Sequence, residues 1–311
     1  MSYPSSLDSF PTKTDNVDTV EAAHINALQD AIVAIETELG TNPSVPLLAG
    51  YFADGRLTLE TGVPVSSSDQ SAKATLYYTP YIGNRIALYD GSSIWSKIEF
   101  SELSLNISGY TADKNYDIWV YNNSGTATLD STIWTNDTTR ATALAYQDGV
   151  LVKSGATTRR YVGTIRINST GGQCEDTIIW RGVYNEYNKV FRELYVNEAT
   201  SHTYNGAARK WNNSDTNNLI KFVLGNTGII IPMSNANVGA GGDGSYGDSY
   251  IYIDGAQIQP YTRNRNTYVC NASIIRTIQQ AAGHHYIQLW EHGNHASSIF
   301  TFMTLSALLS M

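Results

Sequence analysis

The chain has 311 residues, of which 42% are hydrophobic and only 15% are charged, and its formal net charge is −8. This composition suffices for one large core or two ordinary ones, and it excludes an intrinsically disordered protein. Because the net charge is negative and the sequence contains no cluster of Lys and Arg residues, nucleic acid is not expected as a partner. The many Tyr, Gly, Ser, Thr and Asn residues favour β-structure with a weakly charged surface.

The N-terminal region gives no sign of export or membrane insertion. Residues 1–16 lack the basic segment and apolar core of a signal peptide, and no apolar run is long enough to span a bilayer. We therefore expect cytoplasmic synthesis without a membrane anchor. Cys174 and Cys270 belong to no CxxC motif and are expected to be reduced thiols.

Residues 1–17 are predicted to form an extended arm. They contain two prolines and no hydrophobic periodicity, and Leu7 and Phe10 are isolated apolar side chains. Two interpretations stay open. The arm is an anchor that lies in a groove of another protein through Leu7 and Phe10, or it is a frayed terminus.

Residues 18–40 are predicted to form a coiled-coil helix. Asp18 lies three residues before Glu21, the spacing of a capping box, and Gly40 supplies a stop signal. The apolar residues repeat at alternating spacings of three and four, and Ile at both a and d positions favours three or more strands. A helix packed on its own chain is the alternative. The predicted trimerisation residues are Ile25, Leu28, Ile32, Ile35 and Leu39.

After a proline-containing linker at 41–54, the pattern changes to β-structure. Apolar and polar residues alternate with period two, and turn signals such as Asp90-Gly91 recur about every 8–12 residues. We predict a β-rich neck over 55–105 and a β-sandwich body over 106–311. A jelly roll fits this pattern best, with a barrel as the alternative.

Two stretches resemble surface proteins of tailed-bacteriophage virions. The sequence NVDTVEAAHINALQDAIVAIETELGTNP, from Asn16 to Pro43, looks like a module that precedes a β-rich fibre or spike body in many such proteins. The stretch from Gly55 to Trp95 is similar to phage tail-fibre-like segments, and a looser similarity runs from Asn115 to Val190. The resemblance implies a structural virion protein, a homotrimeric fibre or spike that joins other virion proteins through its N-terminal arm.

No motif argues for an enzyme, a cofactor or a bound metal. The string Gly239–Gly244 matches GxGxxG, but a strand follows it where a dinucleotide site needs a helix, so we interpret it as a surface loop. His292 and His295 have metal-ligand spacing, yet histidines in such a position are more often polar surface groups. We therefore predict a non-enzymatic protein without cofactor or metal.

The predicted receptor-contact region lies near the C-terminus. The loop Gly239–Gly247 and a predicted hairpin over His284–His295 are rich in Gly, Tyr, His and Asn and poor in charge, which suits neutral glycans. Two alternatives stay open, an architectural decoration, collar or baseplate protein without host contact, and a polysaccharide depolymerase. The candidate glycan contacts are Tyr246, Trp290, His292 and His295.

Overall fold

The computed structural model describes residues 21–39 and 52–311. The predicted arm, with Leu7 and Phe10, lies outside the described residues, as does most of the predicted linker. Both therefore stay predictions. In the described parts of the chain, no helix is long and apolar enough to cross a membrane.

Helix α1 spans Ala22–Leu39. Glu21 occupies the N-terminal cap position, and its backbone N–H donates to Nδ1 of His24 at 3.0 Å. A side chain that reaches back from the first turn to the cap N–H is one half of a capping box. The described helix therefore begins at Ala22, with Glu21 and His24 as its start signal. The predicted cap residue Asp18 lies outside the described residues.

The apolar seam of α1 faces solvent in the single chain. Ile25, Leu28, Ile32 and Ile35 are each 41–49% exposed. The seam is therefore not packed against the described strands of its own chain, and burying it requires another partner.

Residues 52–185 form the first β-unit. Its strands pair in the orders β1-β3-β6, β4-β5 and β8-β7-β11-β10-β9, and β14 joins the third sheet by pairing with β11. The bounds are β1 (Gly55–Thr58), β2 (Gln70–Lys73), β3 (Thr75–Pro80), β4 (Arg85–Tyr89), β5 (Trp95–Glu99), β6 (Leu103–Asn106), β7 (Asn115–Asn123), β8 (Thr126–Ile133), β9 (Leu144–Gln147), β10 (Val150–Lys153), β11 (Ala156–Arg166), β12 (Cys174–Asp176), β13 (Trp180–Arg181) and β14 (Val183–Asn185).

One hydrophobic core crosses the predicted boundary between residues 105 and 106. Leu76 and Ile86 from the predicted neck are fully buried in the same cluster as Ile118 and Ile165 from the predicted body. The division into neck and body stays a prediction, and side-chain packing joins the two segments. Cys174 is buried in this core with a free thiol.

Residues 191–310 form a β-sandwich. The bounds of its strands are β15 (Phe191–Glu198), β16 (His202–Thr203), β17 (Gly206–Lys210), β18 (Leu219–Leu224), β19 (Gly228–Gly239), β20 (Gly247–Ile253), β21 (Ala256–Gln257), β22 (Thr262–Asn264), β23 (Cys270–Ile275), β24 (Ile278–Gln280), β25 (Gly283–Gly293) and β26 (Ile299–Ser310), and a single 3₁₀ turn spans Trp211–Asn213.

The sandwich has the strand order of a jelly roll. One sheet runs β15-β26-β19-β23, and the other contains β18-β25-β20 followed by β21 and β22 at its edge. Successive strands cross between the two sheets, as in the paired Greek keys of a jelly roll. Ile251 and Leu289 of one sheet and Leu305 and Ala236 of the other are buried in a common core. The prediction of a mainly β chain is confirmed, and the β-sandwich predicted for residues 106–311 is present over residues 191–310.

The two β-units are joined by both sheet pairing and polar contacts. Strand β13 pairs in parallel with β18, so β12 and β2 extend a jelly-roll sheet into the first unit. Arg140 of the first unit donates to both carboxylate oxygens of Asp117 and to the backbone carbonyl of Gly225. The half-buried guanidinium also lies 4.3 Å from the ring centroid of Trp134. These contacts fix the end of β18 against the first unit.

One predicted turn is confirmed and one predicted hairpin is wrong. The Asp90-Gly91 turn links β4 and β5, and Oδ1 of Asp90 accepts a backbone hydrogen bond from Ser92 at 2.8 Å. Over His284–His295, by contrast, β25 continues without a break to Gly293, because its period-two alternation contains no turn-forming residue until that glycine.

Candidate functional site

The outer face of the β18-β25-β20 sheet carries a continuous group of aromatic side chains. Along β20 the sequence GDSYIYI places Asp248, Tyr250 and Tyr252 on one face, while Ile251 and Ile253 enter the core. Strand β25 alternates in the same way. We define the aromatic face by six residues, Tyr246, Tyr250, Tyr252, Tyr261, Trp290 and His292.

Cross-strand stacking orders the rings of the aromatic face. Tyr250 lies opposite Trp290 in the register, and Asp248 lies opposite His292. The closest ring pair is diagonal, since Tyr252 and Trp290 stack with centroids 4.1 Å apart and planes inclined by 17°. Such diagonal neighbours are within reach of aromatic side chains in antiparallel sheets. Stacking therefore restricts the orientations of these rings before any ligand binds.

Arg263 and Asp248 form the charged centre of the aromatic face. Arg263, on β22, donates from Nε and Nη2 to the two carboxylate oxygens of Asp248, each at 2.8 Å. The guanidinium lies 3.8 Å from the ring centroid of Tyr246 and 5.4 Å from that of Tyr261. A bidentate pair between aromatic rings fixes the guanidinium in one orientation, and the two opposite charges cancel.

The carboxylate of Asp248 is fully occupied by structural contacts. It is completely buried, and the Tyr250 hydroxyl donates to it at 2.7 Å. Burial and this hydrogen bond raise the pKa of Tyr250, and the hydrogen bond to Asp248 raises the pKa of Arg263. Tyr250 therefore stays protonated and Arg263 stays cationic near neutral pH.

The Gly-rich loop between β19 and β20 places Tyr246 at the edge of the aromatic face. Its backbone N–H donates to Oδ1 of Asn294 at 2.6 Å, which joins this loop to the turn after β25. The Tyr246 ring meets His292 edge-on, with centroids 5.2 Å apart. A Cβ at Gly241 would lie 2.3 Å from Nδ1 of His295, so the close approach of the two loops requires glycine there.

The structure separates His292 from His295. Nδ1 of His292 lies 3.2 Å from the Tyr250 hydroxyl, whereas Nδ1 of His295 accepts the backbone N–H of Ser297 at 3.1 Å. Among the described residues, no group of three or more His, Cys, Asp or Glu side chains has an arrangement that suits a metal ion.

The aromatic face is suited to stacking against flat, weakly charged ligands. Tyr246, Tyr252, Trp290 and His292 are partly exposed, so part of each ring is accessible to solvent. Apolar ring faces beside hydrogen-bonding groups are the elements that bind and orient small polar ligands. Because these side chains lie on one face of a sheet, a ligand would be covered from one side only.

Three of the four predicted glycan-contact residues come together in the structure. Tyr246, Trp290 and His292 lie on the aromatic face, and His295 lies in the adjoining turn. Whether any of them contacts a glycan stays a prediction. Arg263 could not be recognised from the sequence, because the three-residue strand β22 is too short to show an alternation. The alternation in β20 is the signal that could have placed Asp248 and Tyr252 on one face.

Comparisons with known proteins leave the family of the chain open. No protein-family model matches it, and no curated protein matches its sequence. Among solved structures it is similar to dimeric latent PorU from Porphyromonas gingivalis, at 10% identity and a TM-score of 0.28, over 64% of this chain and 20% of that chain.

Two further similarities are equally distant. The insecticidal δ-endotoxin Cry8Ea1 from Bacillus thuringiensis matches at 8% identity and a TM-score of 0.24, over 85% of this chain and 55% of that chain. The VP2 subviral particle of infectious bursal disease virus matches at 11% identity and a TM-score of 0.28, over 78% of this chain and 66% of that chain. TM-scores this low support no inference about fold or function.

Proposed function

We propose that the protein is a structural component of a phage virion, a homotrimeric fibre or spike whose jelly roll binds host-surface glycans. The observation that carries this proposal is the solvent-exposed seam of α1, with Ile25, Leu28, Ile32 and Ile35 in heptad positions. The resemblance of Asn16 to Pro43 to a phage virion module supports the same interpretation. The protein is non-enzymatic in this proposal, and it needs no cofactor.

Self-association through α1 removes the seam from water. Each Ile or Leu side chain gains about 1.5–3 kcal/mol on full burial, and an isolated helix of 18 residues is only marginally stable in water. Three identical helices bury the seams of all copies at once. Ile at both a and d positions favours this number over two.

The N-terminal arm gives the trimer its place on the particle. Leu7 and Phe10 are the proposed anchors to other virion proteins, and the jelly roll follows at the other end of the sequence. An anchoring arm at one end of the sequence and a jelly roll at the other support a location in the virion, with assembly in the host cytoplasm. Neither nucleic acid nor a membrane is a partner in this proposal.

The aromatic face is the proposed contact with host carbohydrate. Its partly exposed rings and its neutral Arg263–Asp248 pair suit uncharged sugars, which stack on aromatic rings and accept hydrogen bonds. One-sided contact predicts weak individual sites. Three copies on a rigid trimer raise the effective affinity by roughly 10²–10⁴ when all of them engage.

We expect Tyr246→Ala to weaken binding of the trimer to host cells and to immobilised surface glycans at least about tenfold. The substitution removes an accessible ring and the cation–π contact with Arg263, which is worth about 0.5–1 kcal/mol, so the fold should persist. Surface plasmon resonance on a glycan panel measures the change. Tyr146→Ala is the matched control, since Tyr146 is an exposed tyrosine of the first β-unit.

The wild-type protein separates the alternatives in the same experiment. Absence of binding to host cells and to every glycan would remove the adhesive role and leave an architectural one. Release of reducing sugar from host polysaccharide would instead establish a depolymerase.

A further inference from the structure

The jelly roll has a second exposed surface, on the sheet opposite the aromatic face. In the β15-β26-β19-β23 sheet, Leu194 and Leu305 point into the core, so their sequence neighbours point outward. We define the apolar face by six of these outward residues, Phe191, Tyr195, Ile229, Met233, Ile275 and Leu308.

The apolar face is a contiguous patch. Tyr195 and Met233 both pair with Ser306 across the sheet, and Met233 also pairs with Ile275, which forms one row of side chains. Four of the six residues are 37–73% exposed. Large exposed apolar patches on a folded domain mark sites of protein association.

The apolar face lies at the end of the jelly roll where the chain arrives from α1. Nη2 of Arg56, at the start of the first β-unit, donates to the carbonyl of Met311 at 3.2 Å. Met311 exchanges backbone hydrogen bonds with Val190, the residue before Phe191. Only residues 40–51 separate the helix from this region, and they span at most about 45 Å. Three joined helices therefore limit how far apart the apolar faces of three copies can lie.

The two edges of this sheet carry complementary charges. Glu193 lies on β15 with an exposed side chain, and Arg276 directly follows β23 on the opposite side of the sheet. The backbone of β15 is covered by the first β-unit, because the Tyr195 N–H donates to the Ile178 carbonyl and Arg181 donates to the Glu193 carbonyl. The Glu193 side chain, not the strand backbone, is therefore accessible to another copy. In the described part of the chain, neither side chain forms an ion pair. The edges are separated by the width of a four-stranded sheet, about 14 Å, so the two charges cannot pair within one copy.

We propose that the apolar face is a second self-association surface, on which outward side chains at the β15 side of one copy's face meet those at the β23 side of the next copy's face. A head-to-tail contact of this kind closes into a ring of three under a threefold axis. Burial of Ile229 and Ile275 and pairing of Glu193 with Arg276 across copies stabilise the contact. The proposal rests on the trimer proposed above. It assigns part of the trimer interface to the β-sandwich, in addition to the part formed by α1.

The first test is the full-length variant Ile229→Lys/Ile275→Lys, examined by sedimentation equilibrium over a dilution series. We expect the concentration at which the trimer dissociates to rise at least about tenfold. The matched control is Ile82→Lys/Ile94→Lys in the first β-unit, whose side chains are 66% and 57% exposed against 60% and 67% for Ile229 and Ile275. The control is expected to dissociate at the wild-type concentration.

The second test is direct cross-linking. Under mild oxidation, Glu193→Cys/Arg276→Cys is expected to form disulfide-linked trimers on non-reducing gels, while each single cysteine variant does not. The single variants also control for the native thiol of Cys270, which is partly exposed.

The outcomes distinguish this inference from the proposed function. A wild-type trimer that the lysine variant leaves unchanged and that the cysteine pair fails to link would overturn the second surface and retain the helix trimer. A monomeric wild-type protein would overturn both.

Discussion

Replacing Ile32 with aspartate is expected to weaken trimer formation so strongly that the full-length protein is a monomer at micromolar concentration. Ile32 lies in the middle of the seam, so a trimer would hold three carboxylates side by side in an apolar interface. Loss of three buried side chains at about 1.5–3 kcal/mol each removes about 4.5–9 kcal/mol per trimer, and charge repulsion adds to this loss. Light scattering after size-exclusion chromatography measures the mass.

Val33→Asp is the matched control for this experiment. Val33 is the next residue of the helix and is exposed, but it lies outside the a and d positions. The same charge at Val33 is therefore expected to leave the trimer intact. Dissociation by both variants would point to loss of the helix itself, and dissociation by neither would exclude the seam as the interface.

Lowering the pH from 7 to 4 is expected to remove about 3 kcal/mol of stability through His284 alone. His284 lies between the two β-units, where its backbone N–H donates to the carbonyl of Asp137 at 2.9 Å. Burial lowers the pKa of His284 to about 4, and the positive charges of Arg166 and Lys221 act in the same direction, against the carboxylate of Asp137. His285 next to it also lowers this pKa.

The sign follows from the proton affinities of the folded and unfolded states. Near pH 6.5 the unfolded chain begins to bind a proton at His284, while the folded protein does not. The stabilisation is therefore complete above pH 6.5 and is lost as the pH falls to about 4. A difference of about 2.5 pKa units corresponds to about 3 kcal/mol at 1.36 kcal/mol per unit.

Urea denaturation of wild type and His284→Gln at matched protein concentration measures this contribution. The unfolding free energy of wild type minus that of the variant should fall by about 3 kcal/mol between pH 7 and pH 4. The subtraction cancels the contribution to the unfolding free energy of carboxylates that titrate in both proteins. His295→Gln, at an exposed position, controls for the removal of a histidine. A difference that does not change with pH would contradict the burial of a neutral His284 between the units.

Local patterns were sufficient to predict α1 and the β-rich character of the rest. The heptad spacing from Ile25 to Leu39 is a property of one short segment, and the helix forms there. The same holds for the turn at Asp90, whose carboxylate caps its own loop. Even here the first helical residue differs from the prediction, because the side chain of His24 reaches back to cap the helix at Glu21.

Long-range pairing explains what the sequence did not reveal. Arg56 contacts Met311 across nearly the whole chain, and a core shared by residues 55–105 and 106–183 arises from pairings between distant strands. Sequence periodicity identifies the face that a strand buries but not the strand it pairs with. For the same reason, Arg263 could not be assigned to Asp248 from the sequence, whereas the alternation in β20 contains the signal that could have placed Tyr250 and Tyr252 on one face.

The most direct test of the account is the mass of the wild-type protein in solution. Sedimentation equilibrium of the full-length chain at micromolar concentration should give a single species of about 102 kDa, three times the chain mass of 34.1 kDa. A species of 34.1 kDa under the same conditions would show that the exposed seam of α1 does not join three copies, and it would contradict the proposed fibre or spike.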